Sequence, residues 1–321
     1  MRLVTFEEAG LERVGVWLND DKEVLDLSAA DPTQADFVSM LTLIDGGADA
    51  LDRARAVVAS PPAHAVLPTT AVRLRAPIRP RRIWAAPIMD LERHTRTMNR
   101  RSADRIDAIN GQGKQIVKTL DAVLDRIAAS EEVYSEARDH LYISGPEDVI
   151  STAGYAAELD YEVELGCVLG KAGRDITRDD AASHIFGYTI FNDWSARDEQ
   201  IRNIMRGAGW GGTAKDFDGS TSLGPCIVTR DGLDPYDLAM IARVNGEEWT
   251  RGHSSEHIST FEDRIVSLSR GRTVFAGEVW CSGTVGPGCG MELDRTLPDG
   301  AIVEIEVEGI GVLRNKVSIA R

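Results

Sequence analysis

The chain lacks the marks of a membrane-anchored, secreted or disulfide-built protein. No run approaches the roughly 18 uninterrupted apolar residues of a transmembrane helix, and residues 1–8 lack the apolar core of a signal peptide. There are four cysteines: Cys167, Cys226, Cys281 and Cys289. They show no C-x-x-C spacing, so the pattern favours neither a disulfide framework nor a thiolate-bound zinc site. We therefore expect a cytoplasmic protein with reduced thiols and no membrane partner.

Positive charge is also scarce. The chain has 36 lysines and arginines against 51 aspartates and glutamates, a formal net charge of −15. Nucleic acid and anionic membranes need a basic surface, so neither is expected as a main partner, whereas a local basic pocket could still bind a small anionic substrate. The glycines around Lys215 lack phosphate-loop spacing, and residues 207–212 and 283–290 form no dinucleotide fingerprint, so we expect no nucleotide cofactor.

The order of the sequence patterns predicts two units. Residues 1–75 have the pattern of a small β-rich domain, and prolines near its end separate it from a larger domain, residues 76–321. In residues 114–129, apolar side chains recur along one face of an amphipathic helix. Strand patterns dominate from about residue 140, with few long βαβ units, so we expect an α+β, mainly β fold. The expected strands are 2–6, 13–18, 188–191, 225–229, 239–244, 279–282, 302–307 and 311–317.

An alternating run at residues 159–169 carries two glutamates, Glu162 and Glu164. Side chains alternate between the two faces of a strand, so these glutamates and Asp160 would share one face, with neighbours about 7 Å apart. One interpretation is the solvated outer face of an edge strand. The other is a face on which a divalent cation, bound by oxygen ligands, offsets the cost of burying the carboxylates.

A second polar run, residues 192–200, follows directly on an apolar strand. Polar residues at the end of a strand are a common place for a functional site. Asp193 is the candidate for a third carboxylate, and Arg197 could hold a substrate carboxylate through a bidentate contact. The alternative is a capped helix start with surface ion pairs.

Six segments carry a further pattern. They are Leu159–Leu165 (LDYEVEL), Asn192–Asp198 (NDWSARD), Ser222–Pro225 (SLGP), Val244–Glu247 (VNGE), Gly283–Thr284 (GT) and Gly309–Asn315 (GIGVLRN). Together, and in this order, they resemble the fumarylacetoacetate hydrolase family over about residues 143–317. The resemblance implies a mixed β-roll catalytic domain preceded by a small N-terminal domain, usually in a homodimer.

The same resemblance implies a site. It implies one Mg²⁺ or Mn²⁺ per subunit, held by Glu162, Glu164 and Asp193, which agrees with the oxygen ligands that such cations prefer. His94 matches the family's water-activating histidine, and an ordinary pKa of about 6.5 suits a general base. The family positions that contact substrate oxygens are matched by Arg197, Gln200, Lys215 and Thr284.

The region around the matching histidine departs from the family pattern. Residues 87–90 read Pro-Ile-Met-Asp where many members carry Gly-x-Asn-Tyr, and residues 95–135 form a longer segment, either a helical lid or padding of the core. The acidic partner of His94 is not evident, and Asp104 and Asp107 are candidates. Five arginines in and beside this segment could hold a distal substrate carboxylate or lie on a solvated helix face. They are Arg93, Arg96, Arg100, Arg101 and Arg105.

We therefore expect a metal-dependent hydrolase that cleaves a C–C bond in a 1,3-dicarbonyl acid such as an acylpyruvate or a fumarylacetoacetate-like diketone. His94 would activate water, the metal would stabilise the enolate, and Lys215 with Arg197 would hold negative charge. A second hypothesis keeps the enolate but ends in decarboxylation, tautomerisation or dehydration of a 2-oxo acid, which requires no water-activating base. A third, a binding protein without turnover, fits poorly with the complete set of metal and substrate residues.

Overall fold

Strands form most of the core in the computed structural model, which describes residues 1–85, 91–128 and 136–319. The strands are β1 (Arg2–Glu8), β2 (Leu11–Leu18), β3 (Glu23–Asp26), β4 (Val66–Pro68), β5 (Arg73–Arg75), β6 (Ile83–Ala85), β7 (Glu136–Arg138), β8 (Ile143–Ser144), β9 (Val149–Ser151), β10 (Leu159–Asp160), β11 (Val163–Leu169), β12 (Gly173–Arg174), β13 (Ile185–Asp193), β14 (Ser195–Ala196), β15 (Thr221–Thr229), β16 (Ala239–Val244), β17 (Glu247–His253), β18 (Thr273–Val274), β19 (Val279–Cys281), β20 (Ile302–Val307) and β21 (Gly311–Ser318). The α-helices are α1 (Leu27–Ala30), α2 (Met40–Asp45), α3 (Gly47–Ala59), α4 (Arg96–Asn110), α5 (Gly113–Ala128), α6 (Arg178–Ala181), α7 (Arg197–Met205) and α8 (Phe261–Ser269), and a π-helical turn (Leu91–Thr95) precedes α4.

Two large sheets organise these elements. A twelve-stranded sheet has the order β4-β3-β2-β1-β15-β13-β11-β19-β6-β7, with β5 beside β1 and β8 beside β15. In it, β8 runs parallel to β15 and β6 runs parallel to β19, and the other described pairs, β6 with β7 among them, are antiparallel. A five-stranded sheet has the order β17-β16-β20-β21-β9. This architecture confirms the predicted α+β class with a mainly β core.

The first strands of the chain belong to the large sheet. Leu3 in β1 pairs with Ile227 in β15, and the next residues of β1 pair with β2 and β5. The strands of residues 1–75 therefore extend the sheet formed by the rest of the chain. The division into domains at residue 75 stays a prediction.

The secondary-structure predictions agree closely with the observed elements. The strands expected at 239–244 and 302–307 have the same bounds as β16 and β20, and the amphipathic helix expected at 114–129 is α5. This helix begins at Gly113, where a Cβ would lie 1.9 Å from the carbonyl oxygen of Ala103, so glycine permits α5 to start against α4.

The strand that carries the glutamates is internal. In the large sheet β11 lies between β13 and β19, and every residue of it is buried. Side chains on both of its faces are therefore withdrawn from water. The interpretation of this run as the solvated face of an edge strand is wrong, because β13 and β19 pair with β11 along both of its edges.

Parts of the predicted lid lie outside the described residues. These parts are residues 129–135, and the departure at residues 87–90 also falls in an undescribed stretch. The helices α4 and α5 form the described part of the segment, and Met98 and Ile106 of α4 pack with Ile201 of α7 in a small apolar cluster. Within the described ranges, none of the helices has the length and hydrophobicity needed to cross a membrane.

Candidate active site

Three buried carboxylates meet where β11 begins and β13 ends. The antiparallel register pairs Val163 with Asn192, which places Glu162 and Glu164 beside Asp193. One carboxylate oxygen from each lies within 4.8 Å of the others. Their exposed fractions are only 6%, 1% and 3%. This carboxylate cluster is a candidate divalent metal site.

Three cationic side chains contact the cluster: Lys215, Arg138 and Arg197. The Lys215 ammonium donates hydrogen bonds of 2.7 Å to Glu162 Oε2 and to Asp193 Oδ2. Arg138, at the end of β7, donates to both oxygens of Asp193 at 3.0 Å each. Burial opposes ionisation of Glu162, but Lys215 and Arg197 outweigh it, so the pKa of Glu162 is lowered. Glu162 is therefore ready to act as a charged ligand.

Glu164 is held by neutral donors. Its oxygens accept hydrogen bonds from the backbone N–H of Gly283 (3.2 Å) and from the Thr284 hydroxyl (3.0 Å). Burial, followed by the charges of Asp193 and Glu162, raises the pKa of Glu164 to about 8. The raised pKa means that ionising Glu164 costs free energy, and a cation bound among the three carboxylates would offset that cost. An all-oxygen donor set of this kind fits Mg²⁺ or Mn²⁺.

Arg197 connects the cluster to a second buried acid. Its Nε donates to Asp160 Oδ2 at 2.9 Å, while its Nη1 donates to Gln200 Oε1 at 2.9 Å and lies 2.9 Å from Glu162 Oε1. Gln200 in turn donates to the carbonyl oxygen of Trp210 at 3.0 Å. These side chains, like Thr284, are engaged within the protein. Their predicted contact with substrate remains a prediction.

Asp160 has a positioning role that the sequence did not reveal. Besides Arg197, it accepts hydrogen bonds from the backbone N–H groups of Gly290 (2.8 Å) and Met291 (3.0 Å). It thereby ties the loop after β19 to the start of α7. The only sequence signal was its place on the same strand run as Glu162 and Glu164.

His94 contacts a glutamate that the sequence analysis missed. Its Nδ1 lies 2.8 Å from Glu292 Oε2, and the same oxygen accepts the N–H of Gly288 at 2.5 Å. Burial lowers the pKa of His94, but the Glu292 carboxylate more than offsets this, so the pKa is raised. Glu292, rather than Asp104 or Asp107, is the acid at His94. An acidic residue just after the glycine-rich loop at 283–290 could have suggested it.

The five arginines in and beside residues 95–135 contact acidic or hydroxyl side chains of the protein. Arg93 pairs with Glu256 and Arg105 with Glu158, while the Nη2 of Arg96 lies 2.7 Å from Asp125 Oδ1. Arg101 lies 3.5 Å from Asp294, and Arg100 donates to the Thr97 hydroxyl at 2.9 Å. These contacts favour the interpretation of a solvated face with ion pairs over a grip on substrate.

Known sequences are similar to this chain over nearly its whole length. The profile described as fumarylacetoacetate (FAA) hydrolase C-terminal matches residues 114–318. The mitochondrial oxaloacetate tautomerase FAHD2A of Homo sapiens is 31% identical over 323 aligned residues, covering 99% of this chain and 91% of that protein. Oxaloacetate tautomerase YisK of Bacillus subtilis is 36% identical over 178 residues, covering 54% of this chain and 58% of that protein.

Solved structures share the fold over its whole length. A fumarylacetoacetate hydrolase from Exiguobacterium antarcticum is 30% identical with a TM-score of 0.75, and the match covers 100% of both chains. A maleylpyruvate hydrolase from Sphingobium sp. SYK-6, solved with manganese(II) and pyruvate, has a TM-score of 0.71 at 23% identity, again over 100% of both chains. The second likeness is evidence for the fold alone.

Proposed function

Because the chain belongs to the fumarylacetoacetate hydrolase family, we propose that it converts a small 2-oxo acid through an enolate, using Mg²⁺ or Mn²⁺. The observation that carries this proposal is the buried His94–Glu292 pair close to a cluster of three carboxylates. The preferred reaction is keto–enol tautomerisation of an oxaloacetate-like diacid. The sequence alone placed hydrolysis first, and the tautomerases that are similar over nearly the full chain support the change of order.

The residues can be given roles in that reaction. When bound, the divalent cation would polarise two chelating oxygens of the acid and lower the energy of the enolate. In the keto-to-enol direction His94 takes the proton from C3, and the enolate oxygen takes a proton from solvent to complete the enol; in the other direction the enol oxygen gives its proton to solvent and His94 returns one to C3. Glu292 orients the imidazole and stabilises its charged form. Lys215 places positive charge near the oxygen on which negative charge develops.

Hydrolysis of a C–C bond is the second candidate. It uses the same histidine, which would then remove a proton from water that attacks the carbonyl carbon. The similarity to a fumarylacetoacetate hydrolase at 30% identity supports it. Arg197, Gln200 and Thr284 would contact substrate oxygens in either reaction, and Arg197 and Thr284 would also hold Glu162 and Glu164 in place.

The two reactions separate in one set of assays. Metal-loaded protein would be mixed with oxaloacetate, following enol absorbance and deuterium uptake at C3, and with acylpyruvates in ¹⁸O-labelled water, followed by mass spectrometry. Tautomerisation predicts fast exchange without cleavage, whereas paired acids carrying ¹⁸O would establish hydrolysis. Release of CO₂ would indicate a decarboxylase. No turnover of any substrate would leave the binding-protein hypothesis.

Variants test the role of His94 directly. His94→Gln should lose most of the tautomerase activity while the protein still binds Mn²⁺, because the carboxylate cluster is intact. His140→Gln is a matched control, since His140 is exposed. Full activity in His94→Gln would refute the base assignment.

We further propose that the protein forms a homodimer, as the family resemblance implies. Light scattering of the purified chain tests this.

A further inference from the structure

We propose a second metal site, suited to zinc, formed by His94, Cys289 and Glu292. One donor atom from each of these side chains lies within 4.8 Å of the other two. All three residues are at least nine-tenths buried, with exposed fractions of 6%, 0% and 7%. The site shares no donor with the carboxylate cluster.

Unpartnered polar atoms converge in this site. Glu292 Oε1 is buried and has no hydrogen-bond partner among the described residues. His94 Nδ1 approaches Glu292 Oε2 to 2.8 Å, yet the two atoms lack the geometry of a hydrogen bond. Buried polar groups are seldom left in this condition, because a buried donor or acceptor without a hydrogen bond destabilises the fold. An ion between them would satisfy both side chains.

The donor types select the cation. A nitrogen, a sulfur and an oxygen suit Zn²⁺, whereas Mg²⁺ and Mn²⁺ prefer the all-oxygen carboxylate cluster. Met98 Sδ lies 3.6 Å from Cys289 Sγ, so the sulfur side of the site is soft and apolar. Three protein ligands leave a fourth position for water. Binding would convert the Cys289 thiol to a thiolate and release its proton to solvent.

The cysteine spacing in the sequence disfavoured a thiolate-bound zinc site, since no two cysteines stand together. The fold instead brings together ligands of different types, with one cysteine from the loop after β19 and one histidine from the turn before α4. The proposal that zinc binds here does not rest on the proposed function. The expectation that zinc inhibits activity does rest on it, because an ion bound to His94 would prevent this side chain from acting as the base.

Cobalt(II) is the probe for this site. The protein would first be saturated with Mg²⁺ to fill the carboxylate cluster and then titrated with Co²⁺. Wild type should develop a near-ultraviolet band from thiolate-to-cobalt charge transfer, and one equivalent of Zn²⁺ should abolish it. Cys289→Ser should lose the band. Cys281→Ser is the matched control, because Cys281 is also buried and neighbours Glu164 of the other site.

Clear results would overturn the proposal. They are the absence of the band in wild type, or a band that disappears with Cys281 and persists in Cys289→Ser. His94→Gln provides a second variant if the cysteine variant fails to fold by circular dichroism, and it should weaken Co²⁺ binding at least about tenfold. If the band forms but zinc leaves turnover unchanged, the site stands and the catalytic assignment of His94 is the one that fails.

Discussion

The affinity of the carboxylate cluster for Mn²⁺ should rise steeply with pH. Glu164 has a pKa of about 8 in the metal-free protein, whereas the pKa of Glu162 is lowered, so Glu164 is the acid that must lose a proton near neutrality. At pH 7 only about one-tenth of Glu164 is ionised, and at pH 6 about one-hundredth. Because the cation binds the ionised form, its apparent affinity should fall about tenfold for each pH unit below 8.

Calorimetry can measure both the pH dependence of the Mn²⁺ affinity and the proton release that causes it. Mn²⁺ would be titrated from pH 6 to pH 9 in pairs of buffers with different heats of protonation. About one proton should be released per Mn²⁺ at pH 6–7 and almost none at pH 9. His94 also has a raised pKa and is buried near Glu162, so the titrations should be repeated in His94→Gln to isolate the contribution of Glu164.

Stability gives an independent check of the same carboxyl group. Glu164 has a folded-state pKa above its ordinary value of 4.5, so its protonated form stabilises the metal-free fold at low pH. That contribution is lost as the pH rises through about 8. The rise in Tm caused by Mn²⁺ should therefore be larger at pH 8.5 than at pH 6. Equal Mn²⁺ affinity at pH 6 and pH 8.5, or pH-dependent binding that survives in Glu164→Gln, would refute the reasoning.

Two further variants test the contacts around the cluster. Arg138→Gln should raise the Mn²⁺ affinity, measured by electron paramagnetic resonance, because it frees Asp193 Oδ1, leaves Lys215 as the donor to Oδ2, and removes a positive charge. Weaker binding would mean that Arg138 positions Asp193 for the cation. Asp160→Asn should lower the free energy of unfolding by about 3 kcal/mol, since it leaves buried Arg197 short of a partner. Asp125→Asn, at an exposed ion pair, should cost at most about 1 kcal/mol in the same urea titration, and an equal loss in both variants would contradict the argument.

Sequence reasoning was sufficient for the local features of the site. The two-residue period at 159–169 identified Glu162 and Glu164, and the polar residues after an apolar strand identified Asp193. Local spacing could not decide whether the glutamate strand was internal or at an edge, because β19, which pairs with its second edge, lies far along the chain. The burial that raises the pKa of Glu164 is likewise a property of the assembled sheets.

Long-range contacts account for what the sequence did not reveal. Glu292 reaches His94 from a glycine-rich loop, and no periodic pattern connects that loop to the turn before α4. Arg138 reaches Asp193 because β7 pairs with β6 at the end of the sheet. Nothing in the order of residues predicts an arginine on this candidate metal ligand. Side-chain contacts of this kind follow from the final arrangement of strands.

The membership of β1 in the large sheet has a consequence for hydrogen exchange. Strand β15 pairs with β1 at Ile227 and with the end of β13 at Thr221, which lies opposite Asp193. If β1 detached, β15 would keep β8 at Thr221 and Ser222 but would become an edge strand around Ile227, and the amides there that face the N-terminal strand would exchange with deuterium. We therefore expect β1, β15 and the end of β13 to be protected as one cooperative unit. A substitution in the first eight residues should then accelerate amide exchange at Asp193, although β1 does not itself pair with the end of β13.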